Sequence, residues 1–201
     1  MPDFSGFIGD GIKAVRDALD TAAARVNLHL HPDTLTRAAA RRLKRTLGVL
    51  ETVLRRLLVL MAAEIELAPL APRTPSAAKR PDAATTPPQP ARRGFALMPV
   101  LRYDAVRLED LKDRARPRHQ GAANATPLRH RCDTLRRLLE NPYPAAKRMA
   151  RLLARLKRAG AAKPVVLPQT GLSRLKPDLA LTASILPERV GDALAGWYDT
   201  S

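Results

Sequence analysis

The amino-acid sequence predicts an all-α protein: an N-terminal long helical hairpin, a Pro-rich linker and a C-terminal region of short basic helices. Three observations lead there. Leu and Ala supply most of the apolar residues, while Phe, Trp and Tyr together number seven; Leu and Ala favour helix, whereas strands draw on β-branched and aromatic side chains. Apolar residues recur every three or four positions over long stretches, the period of a helix face. Prolines gather between residues 69 and 90 and divide the chain there.

Residues 1–67 read as two coiled-coil-like helices. In the first, Ile8, Ile12, Val15, Leu19, Ala22 and Val26 alternate in steps of four and three, the repeat of a coiled-coil seam. Residues 27–32 form the turn. The second helix is expected to start at Asp33-Thr34, where an Asp side chain can cap free backbone N–H groups, and to stop before Pro69. Its stripe is Leu35, Ala39, Leu43, Leu47, Leu50, Leu54, Leu57, Met61 and Ile65. Such a helix spans roughly 50 Å, with a bend expected at Gly48. Leu47, Leu50, Leu54, Leu57 and Met61 are the candidate association seam. Two helices alone hide too little surface to bury it. The stripe is therefore expected to meet the C-terminal helices, a second copy of the chain or another protein.

Residues 68–94 hold seven prolines among Ala, Thr and basic residues. That composition forbids helix, offers no core and predicts a disordered linker. Residues 95–201 carry the shorter helices. Asp104 can cap one through Ala105, Leu108 and Leu111 that stops before Pro117. Thr126-Pro127 reads as a cap followed by a first helical proline, opening a helix through Cys132, Leu135 and Leu139. The sequence Asn141-Pro142-Tyr143-Pro144 ends it. Pro144 opens the next, closed by Gly160 as a left-handed cap. Four prolines after Lys163 predict only short pieces, the last from Pro187 through Val190, Leu194 and Trp197.

The net charge is +16, an excess that favours anionic partners. A GC-rich coding bias accounts for Arg outnumbering Lys 27 to 8, but not for the shortage of acids. Residues 95–201 hold 20 basic against 10 acidic residues, whereas residues 1–67 hold 10 against 8, so the C-terminal region is the expected contact. On the helix opened by Pro144, Ala145, Met149, Leu152, Leu153 and Leu156 share one sector and Lys147, Arg148, Arg151, Arg155 and Arg158 the opposite one. No acid lies between Ala145 and Gly160. These five cations are the candidate anion or nucleic-acid contacts.

Other motifs fail on context. Leu167-Pro168-Gln169-Thr170-Gly171 spells a sortase signal but lacks the apolar span that must follow. Asn124-Ala125-Thr126 is a glycosylation sequon by letter only. Gly6, Gly9 and Gly11 have no preceding strand and no phosphate-loop lysine. His29, His31, His130 and Cys132 are too scattered for the three or four converging ligands of a zinc site. Cys132 lies among Arg129, His130 and Arg131, which could activate its thiol, but it also matches the packed face with Leu128 and Leu135. The single cysteine, the lack of a signal-peptide pattern and the charges within 47–65 predict a cytoplasmic protein. No catalytic constellation and no cofactor or metal site is expected. The sequence predicts a non-enzymatic helical interaction or adaptor protein acting through its Leu/Ala seam and a basic helix. The alternatives are a sequence-nonspecific nucleic-acid-binding accessory protein and, third, a peripheral protein on an acidic membrane surface.

Overall fold

A computed structural model describes residues 4–67, 97, 121–168, 171–172 and 175–198. The linker at 68–94 and the helix expected through Ala105, Leu108 and Leu111 lie outside them. The described residues form α1 (Ser5–Ala24), β1 (Thr34–Thr36), α2 (Arg37–Glu64), β2 (Ala122–Asn124), α3 (Thr126–Glu140), α4 (Tyr143–Arg158) and α5 (Pro177–Ala193). Single 3-10 turns cover Leu28–Leu30 and Ala195–Trp197. The molecule is predominantly helical, as its Leu/Ala composition predicts.

Helix α2 is the element the others surround. Its 28 residues span about 42 Å. It begins later than the cap signal suggests: the Thr36 hydroxyl accepts the Ala39 N–H at 3.2 Å, so Thr36 caps the helix and Asp33 and Thr34 lie outside it. Residues 34–36 are instead extended, pairing antiparallel with 122–124, Thr34 opposite Asn124. Two β-branched threonines flanking a buried Leu35 suit that half-buried strand. The expected bend at Gly48 is not seen. The helix runs through it, and the Thr52 hydroxyl donates to the Gly48 carbonyl at 2.9 Å.

Beyond Gly48 the apolar side of α2 is fully buried, while Glu51, Thr52, Arg55 and Arg56 line its other side, half-buried. Leu50, Val53, Leu54, Leu57, Leu58 and Leu60 are all 0% exposed. Those apolar side chains have to be covered, and α1, α3, α4 and α5 all pack on α2. The hairpin partner α1 runs antiparallel: the Phe4 N–H donates to Glu64 Oε1 at 3.1 Å, and Gly11 faces Leu57. Asn27 and His31 take positive φ at the turn between them. Helix α5 lies where α1 and α2 meet, with Thr182 against Gly11 and the Arg189 guanidinium 5.9 Å from the Phe4 ring. Helix α3 closes the other side, its Arg131 paired with Glu51 of α2 and its Leu139 carbonyl accepting from Arg16 of α1 at 2.8 Å. Within this chain, α1 and the C-terminal helices together cover the Leu seam.

Two boundaries in the C-terminal region differ from expectation. Thr126 is the first helical residue of α3 rather than its cap; its N–H is held by the Asn124 side chain at 2.8 Å. The chain after residue 163 holds a 17-residue helix, not short pieces, and Pro187 sits inside it. Pro177 suits the first turn, where no intrahelical partner is needed for its nitrogen. Pro187 removes one backbone hydrogen bond, a loss offset by burial of Leu179, Ala183, Leu186 and Val190.

Substitutions at the crossing of α1, α2 and α5 should report this packing. A Cβ on Gly11 would lie 2.8 Å from a Leu57 methyl and 3.2 Å from that of Thr182. Gly11→Val should cost about 1–3 kcal/mol in denaturant unfolding through overpacking. Gly9→Ala, with nothing within 4 Å of its Cβ, should gain about 0.5–1 kcal/mol from helix propensity. Leu54→Asp places a carboxylate at a fully buried site and should unfold the chain, costing several kcal/mol; a cooperative transition near the wild-type midpoint would contradict the central role of α2.

Candidate nucleic-acid interface

Helix α4 is positioned by its small residues. Ala145, Ala146, Met149 and Ala150 are buried, and the three alanines let its backbone approach α2 closely. Leu152, Leu153 and Leu156 are half-buried against the same core. The helix starts at Tyr143, with Pro144 in its first turn. It ends as the glycine signal predicts, with Gly160 at φ +64°. The Gly160 N–H bonds the Lys157 carbonyl and the Ala161 N–H the Leu156 carbonyl, each at 3.0 Å, the two bonds of a Schellman cap.

The carboxyl end of α4 is then tied to the end of the chain. The Trp197 indole N–H donates to the Ala161 carbonyl at 2.9 Å, Lys157 Nζ to the Gly196 carbonyl at 2.7 Å, and Lys163 Nζ to the Gly191 carbonyl at 3.2 Å. The Tyr198 hydroxyl accepts the Lys163 backbone N–H at 3.1 Å. These contacts fix which side of α4 faces outward.

That outward side is cationic. Lys147, Arg148, Arg151, Arg155 and Arg158 are all exposed. Among the described residues, Arg148 and Arg158 each donate only to a carbonyl one turn back in their own helix, at 3.3 Å. The side chains of Lys147, Arg151 and Arg155 have no hydrogen bond or ion pair among the described residues. The five predicted contact residues therefore lie together on one ridge, with their guanidinium and ammonium groups in solvent. The seam residues Leu47, Leu50, Leu54 and Leu57 lie inside the core at 0% exposed, and Met61 is half-buried.

Acidic side chains near the core serve as partners for arginines. Glu51 is bound through both oxygens by Arg131, Nη2 at 2.9 Å, and pairs with Arg55 at 3.4 Å. The Glu51 hydrogen bond raises the Arg131 pKa above its ordinary value. Asp20 and Asp133 both reach Arg136. Beside that pair, a cleft of about 140 Å³ is lined by Arg16, Asp20, Arg136, Leu139 and Glu140; it is small and shares its charges with the ion pair. Arg56 donates Nη2 to the Leu167 carbonyl, and burial lowers its pKa.

His29, His31 and His130 are exposed while Cys132 is buried on the packed face of α3. Among the described residues, no three His, Cys, Asp or Glu side chains gather as a metal site would need. Among the same residues no helix is long and apolar enough to cross a membrane. One set of surface cations went unnoticed in the sequence because α2 was read by its apolar stripe. Arg41, Arg42, Lys44 and Arg45 are exposed on its other side, and the signal for them is the absence of any acid between Asp33 and Glu51.

Cys132 is fully buried, and burial pushes its thiol up to about 11 despite the nearby arginines Arg136 and Arg131. At pH 8 only about one thiol in a thousand is then ionised. Labelling by a thiol reagent should be at least about 100-fold slower in the native protein than in denaturant; equal rates would overturn this. A raised folded pKa favours the neutral thiol, so its contribution to stability is complete below the unfolded value and declines as pH rises towards 11.

No family model matches the chain, and no curated protein or solved structure does; its function is read from its own surface.

Proposed function

We propose that this is a non-enzymatic helical protein that binds the phosphate backbone of nucleic acid through the cationic face of α4, without reading sequence. The observation that carries the reading is the ridge Lys147, Arg148, Arg151, Arg155 and Arg158, exposed and lacking any ion pair among the described residues while the opposite face is buried. The Leu seam is occupied within the chain, which leaves cationic chemistry as what this helix offers outward. Phosphate oxygens accept from arginine and the release of condensed counterions drives such binding. A helix lying on a membrane needs a free apolar face, and the corresponding face of α4, Ala145, Ala146, Met149 and Ala150, is already buried.

Fluorescence anisotropy with two duplexes of unrelated sequence tests this. Both should bind alike, with log affinity falling linearly in log salt. Arg151→Glu/Arg155→Glu should weaken binding at least about tenfold at low salt and reduce the magnitude of the slope by about 2. Unaltered binding by that variant, or a strong preference for one sequence surviving high salt, would sink the reading.

A further inference from the structure

We propose that the exposed cations on the first turns of α2 form a second phosphate-backbone surface, separate from α4, so that one molecule joins two nucleic-acid segments. The joining rests on the nucleic-acid reading of α4; binding by α2 does not.

At 100° per residue, Arg37, Arg41, Lys44 and Arg45 fall within about 100° of one another, with Arg42 flanking them. Leu43, Leu47 and Leu50 occupy the opposite, buried side. The side chains of Arg41, Arg42, Lys44 and Arg45 are exposed and make no hydrogen bond or ion pair among the described residues. Arg37 donates Nε to the Gly121 carbonyl at 3.1 Å.

Folding gives no reason for this arrangement. The amino end of a helix is its positive end, where acids stabilise and cations do not; the effect is confined to the first turn and here bears on Arg37. Helix α2 has no acid in its first turn. Arg37 with Arg41, and Arg41 with Arg45, are like charges one turn apart, a spacing at which they repel. Helix α4 shares part of this pattern: Lys147 and Arg148 stand as far from its amino end as Arg41 and Arg42 do in α2, while Arg155 and Arg158 sit in its last turn, where the dipole favours them. The cations of α2 therefore strain the free protein electrostatically, and an anionic polymer lying across them would relieve that strain. Residues 37–45 cover about 12 Å of helix axis, and duplex DNA carries one charge per about 1.7 Å, so the row faces several phosphates at once. Because the apolar side of this segment is buried, it has nothing to insert into a bilayer.

Position makes two surfaces of them. The amino end of α2 adjoins β1 and β2. The carboxyl end of α4 is tied to residues 191–198. Arg189 over Phe4, and Phe4 bonded to Glu64, place the end of α5 at the far end of α2. The two cationic faces thus lie towards opposite ends of a helix about 42 Å long.

The test is capture of a second, labelled duplex by full-length protein held on an immobilised duplex, alongside thermal unfolding. Wild type should capture it. Arg41→Glu/Arg42→Glu should still bind the first duplex through α4, yet lose second-duplex capture at least tenfold. Its Tm should stay equal or rise, because the carboxylate introduced at position 41 would stand one turn from both Arg37 and Arg45. A lowered Tm would show that the cations serve folding and overturn the proposal. So would capture undiminished in this variant, as copies pairing with one another would give, or wild type that binds one duplex and captures none. If instead Arg151→Glu/Arg155→Glu binds like wild type while Arg41→Glu/Arg42→Glu is weakened, the α4 reading and the joining both fail, and α2 alone remains as the binding surface.

Discussion

Between Leu50 and Leu60, α2 presents apolar side chains over nearly half of its circumference, and the architecture follows from the need to cover them. Six of these residues are 0% exposed, each contributing about 1.5–3 kcal/mol on burial. One antiparallel partner covers one side only. The remaining sides take α3, α4 and α5, which is why residues far apart in sequence share one core. The same demand sets the size of residues at the contacts. Gly11 leaves room where three helices meet, and Ala145, Ala146 and Ala150 bring α4 close.

Polar contacts then choose among the ways such helices could pack. Apolar burial has no direction, whereas Glu51 bound by Arg131 fixes α3 along α2, and the Phe4 N–H on Glu64 fixes the register of α1. The Arg16 bond to the Leu139 carbonyl ties α1 to the end of α3. A part-buried acid such as Glu51 would be costly alone, so its arginine partners are as much a condition of its burial as a source of stability.

Charge is partitioned in the same manner. Glu51 and Asp20 are engaged with arginines across helix contacts, and Asp133 with Arg136 within α3. On α4 and on the first turns of α2 the cations face solvent with no acid beside them in sequence. The two faces differ in placement: Arg155 and Arg158 of α4 sit in the last turn, where the helix dipole favours cations, whereas Arg37 of α2 sits in the first turn, where it does not.

The periodicity of the sequence by itself determined the helical class, the stripes of α1, α2 and α3, and the ridge on α4, because each is a pattern within a dozen or so residues. Gly160 closed α4 as its lack of a side chain predicts. Tertiary structure decided the rest. Thr34–Thr36 became a strand because Ala122–Asn124 arrived to pair with it, a contact no local pattern encodes. Pro187 stayed inside a helix because burial of its neighbours outweighed one lost hydrogen bond. The cations of α2 emerged as a surface only once the other helices had covered the opposite side, since a stripe in sequence names two faces and packing alone selects which one meets water.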